Sequence, residues 1–273
     1  MSGTTVRRTW TEPVMGTQVS IVAVGDRSED AGVTAAVRHA LAELHELDAL
    51  FSTFRPDSAV SRIRAGTLDL AEADPRVREV ARACRAAELA TGDRFSPEWR
   101  GGFDPTGYVK GWAVDRVMGR HLAPLLRGDS LVGIAINLGG DLLARTVARA
   151  AWRWRIGIAH PDCAGDLLAT LEVSNGAVAT SGTAERGAHI IDPRSGAPAT
   201  QVRSATIVAD RLAVADVWAT ASVVAGTDRS WLGRAPIHSG LLLDADGETH
   251  QLVAGIELSP VGDDATPLLT RLP

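Results

Sequence analysis

Leu131-Val132-Gly133-Ile134-Ala135-Ile136-Asn137-Leu138-Gly139-Gly140-Asp141 is the stretch on which the fold turns. Leu131 to Ile136 is a short, continuous apolar run, the pattern of a buried strand. Gly139-Gly140 then permits either a tight turn or a close backbone approach to a ligand. Working back toward the N-terminus, the pattern changes to helices. One is expected over about Lys110 to Leu122. A second runs from about Pro75 to Thr91, with Pro75 suited to a first turn and Gly92 to a stop. A third covers Ala31 to Phe51, where Val33, Val37, Leu41, Leu44 and Leu47 recur at three and four. A β-rich stretch from about Val14 to Val24 precedes them, and Arg94 to Tyr108, rich in Gly and Pro, reads as loop.

Toward the C-terminus the period shifts to two. Trp152, Trp154, Ile156 and Ile158 alternate with Arg and Gly as in a half-buried strand. Strands follow over Leu167 to Val173, Ala177 to Thr180 and Ala205 to Ala209, then a helix over Leu212 to Ala225. Leu241 to Leu252 reads as a hairpin with Asp246-Gly247 at its turn. The order is strand, helices, many strands, helix and hairpin. That is an α+β pattern, mixed or antiparallel sheets packed with helices, rather than regular βαβ alternation. No linker or charge block divides it, so residues 1–273 are expected to form a single domain.

Composition narrows the function. Net charge is -5, with 28 basic residues against 33 acidic, so no polyanion-binding surface is advertised and nucleic acid is not an expected partner. No run of about 18 apolar residues exists to span a membrane. No apolar core of about 7–15 residues follows Met1, so no signal peptide is expected. Cys84 and Cys163 lack metal-ligand spacing and are expected to be free thiols in a reducing cytoplasm. All but one of the 28 basic residues are arginines, and the exception is Lys110. Its survival is either chance or marks a place where a compact ammonium does what a planar guanidinium cannot. The one tyrosine, Tyr108, lies two residues away.

Four constellations carry the chemistry. Asp104-Pro105-Thr106-Gly107-Tyr108-Val109-Lys110-Gly111-Trp112-Ala113-Val114-Asp115 brings a carboxylate loop into a helix start near Lys110, a place where an anion or phosphate is favoured. A capped helix with a solvated Lys is the bland alternative. Asn137 to Asp141 matches neither a dinucleotide fingerprint nor a P-loop, and a plain turn explains it as well as a ligand contact does. Thr180-Ser181-Gly182 followed by His189 and Asp192 lacks the Gly-x-Ser-x-Gly elbow of a hydrolase triad. His189, flanked by Ile190, is either a packed imidazole or a base beside a substrate. Asp216 and Thr220 share a helix face, and a carboxylate with a hydroxyl suits Mg²⁺ or Ca²⁺ rather than zinc. An Asp on an otherwise apolar helix needs a partner, because an unpaired buried charge is costly.

Together and in this order, these segments resemble the FAD:protein FMN transferase family, also called ApbE. The resemblance rests on Met15-Gly16-Thr17, Phe51-Ser52-Thr53-Phe54 with Asp57-Ser58 and Ser61, Asp104 to Asp115, Asn137 to Asp141, Thr180-Ser181-Gly182, His189 to Gly196, and Ala215 to Thr220. It implies an ApbE-like fold. It also implies movement of the FMN half of FAD onto a Thr (or Ser) hydroxyl of a target flavoprotein, with Mg²⁺ required and AMP released. By the same resemblance, Asp216 and Thr220 ligate Mg²⁺ together with the Gly107 backbone carbonyl, and His189 is the catalytic base. Met15, Phe54, Asp104 and Lys110 line the FAD site, joined by Arg94, Phe95, Ser96, Thr180, Ser181 and Gly182.

Three departures accompany the likeness. Arg94-Phe95-Ser96-Pro97 runs almost directly into Gly102-Phe103-Asp104, where family members usually carry several tens of residues. Phe54 stands where many have Tyr, so it can stack on an isoalloxazine but not hydrogen-bond. No lipoprotein signal is seen, which points to a cytoplasmic acceptor. Two alternatives keep the site but change its use: an FAD pyrophosphatase giving FMN and AMP, and a non-catalytic flavin-binding module.

Overall fold

The sheet begins as a hairpin, β1 (Arg7–Val14) and β2 (Thr17–Val24), where one β-rich stretch was expected. Met15 and Gly16 both take positive φ, 53° and 71°, the geometry of a two-residue turn that matches strand twist. β1 escapes the hydrophobic pattern because it is an edge strand, exposed along most of its length. The computed structural model describes residues 6–99, 101–128, 131–182 and 190–258.

Helix α1 spans Ala31–Phe51, with Val33, Val37, Leu41, Leu44 and Leu47 buried on one stripe as the period required. The Ser58 hydroxyl accepts the Ser61 amide and starts α2 (Ala59–Arg64), a short helix the sequence reading passed over. α3 (Pro75–Ala90) opens with Pro75 in its first turn and the Asp74 carboxylate on the Arg76 amide. α4 covers Thr106–Val117, four residues earlier than expected. The Gly- and Pro-rich run hid this start, which the Asp104 carboxylate secures by accepting the Thr106 amide at 3.1 Å and hydroxyl at 2.7 Å. Lys110 therefore sits in the second turn rather than at the helix entrance, and α4 widens into a π-type turn over Met118–Leu122.

The remaining strands are β3 (Gly133–Leu138), β4 (Asp141–Thr146), β5 (Trp154–Ala159), β6 (Leu167–Val173), β7 (Gly176–Gly182), β8 (Val202–Ala209), β9 (Ser239–Asp244), β10 (Thr249–Val253) and β11 (Ile256–Glu257). Among the described residues, nine strands form one sheet in the order β1-β2-β3-β4-β7-β8-β9-β10-β11, antiparallel at every pairing. β5 and β6 make a separate antiparallel ribbon, whose Ile158, Leu171 and Val173 pack against Val178, Val208 and Leu241 of the large sheet. Helix α5 (Leu212–Ala225) lies between the sheet and α4 and is buried nearly all round. An α+β fold of helices and antiparallel sheet is what the order of elements predicted.

Gly139 and Gly140, at φ 62° and 97°, turn β3 into β4. A Cβ on Gly139 would come within 2.9 Å of the Thr17 hydroxyl, so the β1–β2 and β3–β4 turns meet at one end of the sheet. The site forms at that end.

Candidate active site

Two helices set the geometry. A Cβ at Gly111 would lie 2.6 Å from the Ala213 backbone nitrogen, so only glycine lets α4 lie against the first turn of α5. One turn on, the Asp115 carboxylate accepts the Leu212 amide at 2.8 Å and the Ala213 amide at 3.1 Å. These are donors that a helix start leaves without intrahelical partners. Burial pushes the Asp115 carboxyl up, opposed by those two amides and by Arg211 at 3.4 Å. The clamp fixes Lys110 on α4 relative to Asp216 and Thr220 on α5.

All three residues line one cavity of about 980 Å³ at the turn end of the sheet. Asp216 is 6% exposed, and its Oδ2 has no hydrogen-bond partner among the described residues. Its carboxyl is pushed up to about 7, first by burial and then by the charge of Asp141, with Lys110 pulling the other way. Thr220, one turn along, shares a 3.0 Å hydrogen bond with the Ser181 hydroxyl. A buried carboxylate oxygen without a partner beside a hydroxyl is a hard-oxygen donor set, and the residues present fit a Mg²⁺ ion. The Gly107 backbone lies on the same cavity wall.

The ammonium of Lys110 stands 3.4 Å from Asp141 Oδ2, and the other oxygen of Asp141 accepts the Thr180 amide at 3.1 Å. Thr180 is held in turn through its hydroxyl, 2.8 Å from that of Thr206. Ser181 and Gly182 complete this wall from the end of β7. Met15 borders the cavity from the first hairpin turn, and Phe54 stands on the rim, 94% exposed.

The short segment after α3 folds back tightly. The Asp104 amide donates to the Pro97 carbonyl at 2.6 Å, which closes the loop between them. Asp104 is buried with Arg64 at 3.9 Å, and Phe95 packs beneath Gly107. Arg94 and Ser96 face the cavity as well. Arg94 is also committed elsewhere: it pairs with Asp228 at 2.9 Å and lies 4.6 Å over the Trp231 ring, which stacks on Trp218 of α5.

Every residue expected at the site borders this cavity except His189, which lies outside the described residues. Ile190, Ile191 and Pro193, just after it, reach the cavity wall. The Arg194 guanidinium bonded to Asp192 holds that carboxyl below its usual range. Tyr108 does not join the lining; it is buried, and burial pushes its hydroxyl up. Asp141, His160 and Arg203 are cavity residues to which the sequence assigned no role. Asp141 was signalled by a Gly-Gly turn ending in a carboxylate, but an Asp there is as common as a turn residue. His160 was signalled by a His at the end of an alternating strand; its Nδ1 accepts the Asp162 and Cys163 amides, both at 3.2 Å. Arg203, paired with Asp162 at 2.7 Å, carried no signal among so many arginines.

The ApbE family profile matches residues 15–101 and 100–235. Among curated proteins, the FAD:protein FMN transferase of Treponema pallidum (strain Nichols) is 34% identical over 140 residues, 45% of this chain and 37% of its own length. That of Klebsiella pneumoniae (strain 342) is 28% identical over 131 residues, 44% of this chain and 36% of its own length. The matched stretch thus spans just over a third of the curated relatives. The fold is shared more widely. The ApbE protein of Thermotoga maritima superposes with a TM-score of 0.76 at 22% identity, covering 89% of this chain and 96% of its own. The flavin transferase ApbE of Vibrio cholerae gives 0.71 at 19% identity, with 92% and 97% covered. Since the profile runs through both helices of the clamp and both hairpin turns that close the cavity, this chain belongs to the ApbE family.

Proposed function

We propose that this protein is a Mg²⁺-dependent FAD:protein FMN transferase, and that residues 1–273 form one domain of that kind. The reading has FMN moved from FAD to a Thr (or Ser) hydroxyl of a target flavoprotein, with release of AMP. The observation that carries it is the unpartnered Oδ2 of Asp216, buried beside Thr220 and within the field of Lys110, in a cavity roomy enough for a dinucleotide.

The step is a displacement at phosphorus. The acceptor hydroxyl oxygen bonds to the phosphorus on the FMN side of the pyrophosphate, the bridging P–O bond breaks, and AMP leaves with that electron pair. The hydroxyl proton passes to a base, the role assigned to His189. Such transfers need positioning and charge neutralisation more than covalent help. Asp216, Thr220 and the Gly107 carbonyl are the groups that would hold Mg²⁺, whose contribution is to neutralise charge on the pyrophosphate oxygens. Lys110 supplies a point positive charge from α4 for the same oxygens. Phe54 offers an exposed aromatic face at the rim for an isoalloxazine ring.

Among the described residues no helix is long and apolar enough to cross a membrane. Cys84 and Cys163 are both unpaired thiols, which supports a cytoplasmic setting and an acceptor reached from it.

The test is incubation with FAD and Mg²⁺, with and without a Thr-bearing acceptor domain. Covalent flavin fluorescence on the acceptor with equimolar AMP is the expected result. FMN and AMP formed equally well without acceptor would make the protein a pyrophosphatase. FAD retained with no AMP would make it a binding module.

A further inference from the structure

Asp141 belongs to no role given so far, yet it stands at the centre of the cavity's charges. We infer that Asp141 is a positioning residue: it holds the Lys110 ammonium away from Asp216 and so keeps it out of the place a divalent cation takes. The inference rests on the reading of Asp216 as a metal ligand.

The geometry is specific. Lys110 extends from α4 to an Asp141 oxygen at 3.4 Å, while the second oxygen is fixed by the Thr180 amide at 3.1 Å. Asp141 is 6% exposed and begins β4 directly after a two-glycine turn, so its backbone is paired with β3 while its side chain reaches β7 at Thr180. In the same cavity, Asp216 has an oxygen with no hydrogen-bond partner among the described residues, and the charge of Lys110 is already felt there. A lysine side chain is a flexible stem ending in a mobile charge. Once the Asp141 carboxylate is removed, pairing of Lys110 with Asp216 becomes the way to neutralise a buried anion, which is otherwise costly to leave unpaired. That pairing would fill the cation's position with an ammonium. The three groups therefore form a sorted set in which Asp141 takes the lysine and Asp216 is reserved for the metal.

The experiment measures Mn²⁺ affinity without FAD, by electron paramagnetic resonance of the free ion, in four full-length proteins: the parent, D141N, K110M and K110M/D141N. Asn at 141 keeps an oxygen for the Thr180 amide, so the β4–β7 contact survives the change. D141N is expected to bind Mn²⁺ about tenfold more weakly, K110M to lie within about threefold of the parent, and the double variant to return to the K110M value. The effect of removing the lysine is thus large only where Asp141 is missing. Equal effects of K110M in both backgrounds would mean simple addition of charges and would overturn the inference. So would a double variant as weak as D141N, because Asp141 would then act on the metal directly. A crystal structure of D141N gives an independent readout: Lys110 Nζ is expected within about 3 Å of an Asp216 oxygen. A parent protein that fails to bind Mn²⁺ would remove the metal site and this inference together. The expected pattern in a protein that transfers no FMN would reject the transferase and leave Asp141's role intact.

Discussion

A carboxylate oxygen buried without a partner weakens the fold that contains it. Asp216 is such a group, and its cost is the sign of a ligand that compensates. D216N should therefore unfold no lower than the parent in metal-free buffer and lose the rise in Tm that Mn²⁺ gives the parent. At a hundredfold excess over Kd that rise corresponds to about 2.7 kcal/mol, readable by differential scanning calorimetry. Turnover of FAD should fall to background in the same variant; normal turnover would return Asp216 to a structural role. Lys110 makes a second test at this scale. K110R keeps the charge but replaces a point ammonium with a planar fork, and should lower kcat/KM by about tenfold or more. Unchanged kinetics would make its survival among arginines an accident. At this scale the sequence carried much. Asp104, Lys110, Asp216 and Thr220 were legible as candidates from residue type and spacing, Gly107 only through the family likeness, and all five border the cavity. Asp141 was not legible in that way, because its meaning is a distance to Lys110 across 31 positions of chain.

Among the elements, α4 is the most heavily used. Its Gly111 face meets α5, and its outer end is tied to α1 through Glu43. That carboxylate accepts Arg116 at 2.7 Å, Arg120 at 2.9 Å and His121 at 2.7 Å. Burial acts to raise the Glu43 carboxyl, but the bonds from Arg116 and His121 and the charges of Arg116 and Arg120 outweigh it and hold it below 4.5. A depressed carboxyl contributes stability above its unfolded value and loses it as pH falls through the folded one. The gain should thus be complete above pH 5, and decline below the ordinary value of 4.5. Urea melts of E43Q and the parent should differ by about 1–3 kcal/mol at pH 7, and the gap should narrow as pH falls below 4.5 and through the lower folded value. A gap independent of pH would mean the cluster contributes by packing alone. G111A is the companion test. Its new methyl meets the Ala213 backbone rather than a side chain that could move, so a loss of about 1–3 kcal/mol is expected in the same melts. FAD affinity should fall with it, since the helices would part between Lys110 and Asp216. The helix spans of α1 and α5 could be read from the sequence almost to the residue, because their apolar periodicity is long. The start of α4 was missed, since Asp104, whose carboxylate accepts the Thr106 amide, lies in a run of Gly and Pro that reads as loop.

Across the whole molecule, chain segments distant in sequence close the cavity. Arg94, just after α3, reaches Asp228, which lies 134 positions away beyond α5, and caps a stack of Trp231 on Trp218. This ties the short segment before Asp104 to the back of α5. R94M should weaken FAD binding while costing about 1–2 kcal/mol of stability, the size of a partly buried ion pair and cation–π contact. Fluorescence titration of FAD checks the first effect, and an unchanged Kd would confine Arg94 to the scaffold. The α+β class and the family were determined by the sequence alone, since periodicity and ordered motifs are local properties of the chain. Strand order, the meeting of two hairpin turns, the Asp141–Lys110 pair and the Arg94–Trp231–Trp218 stack were decided only by the tertiary structure. They depend on which distant segments share a sheet edge or helix face, and antiparallel pairing and close helix contact fix that only when the whole chain packs.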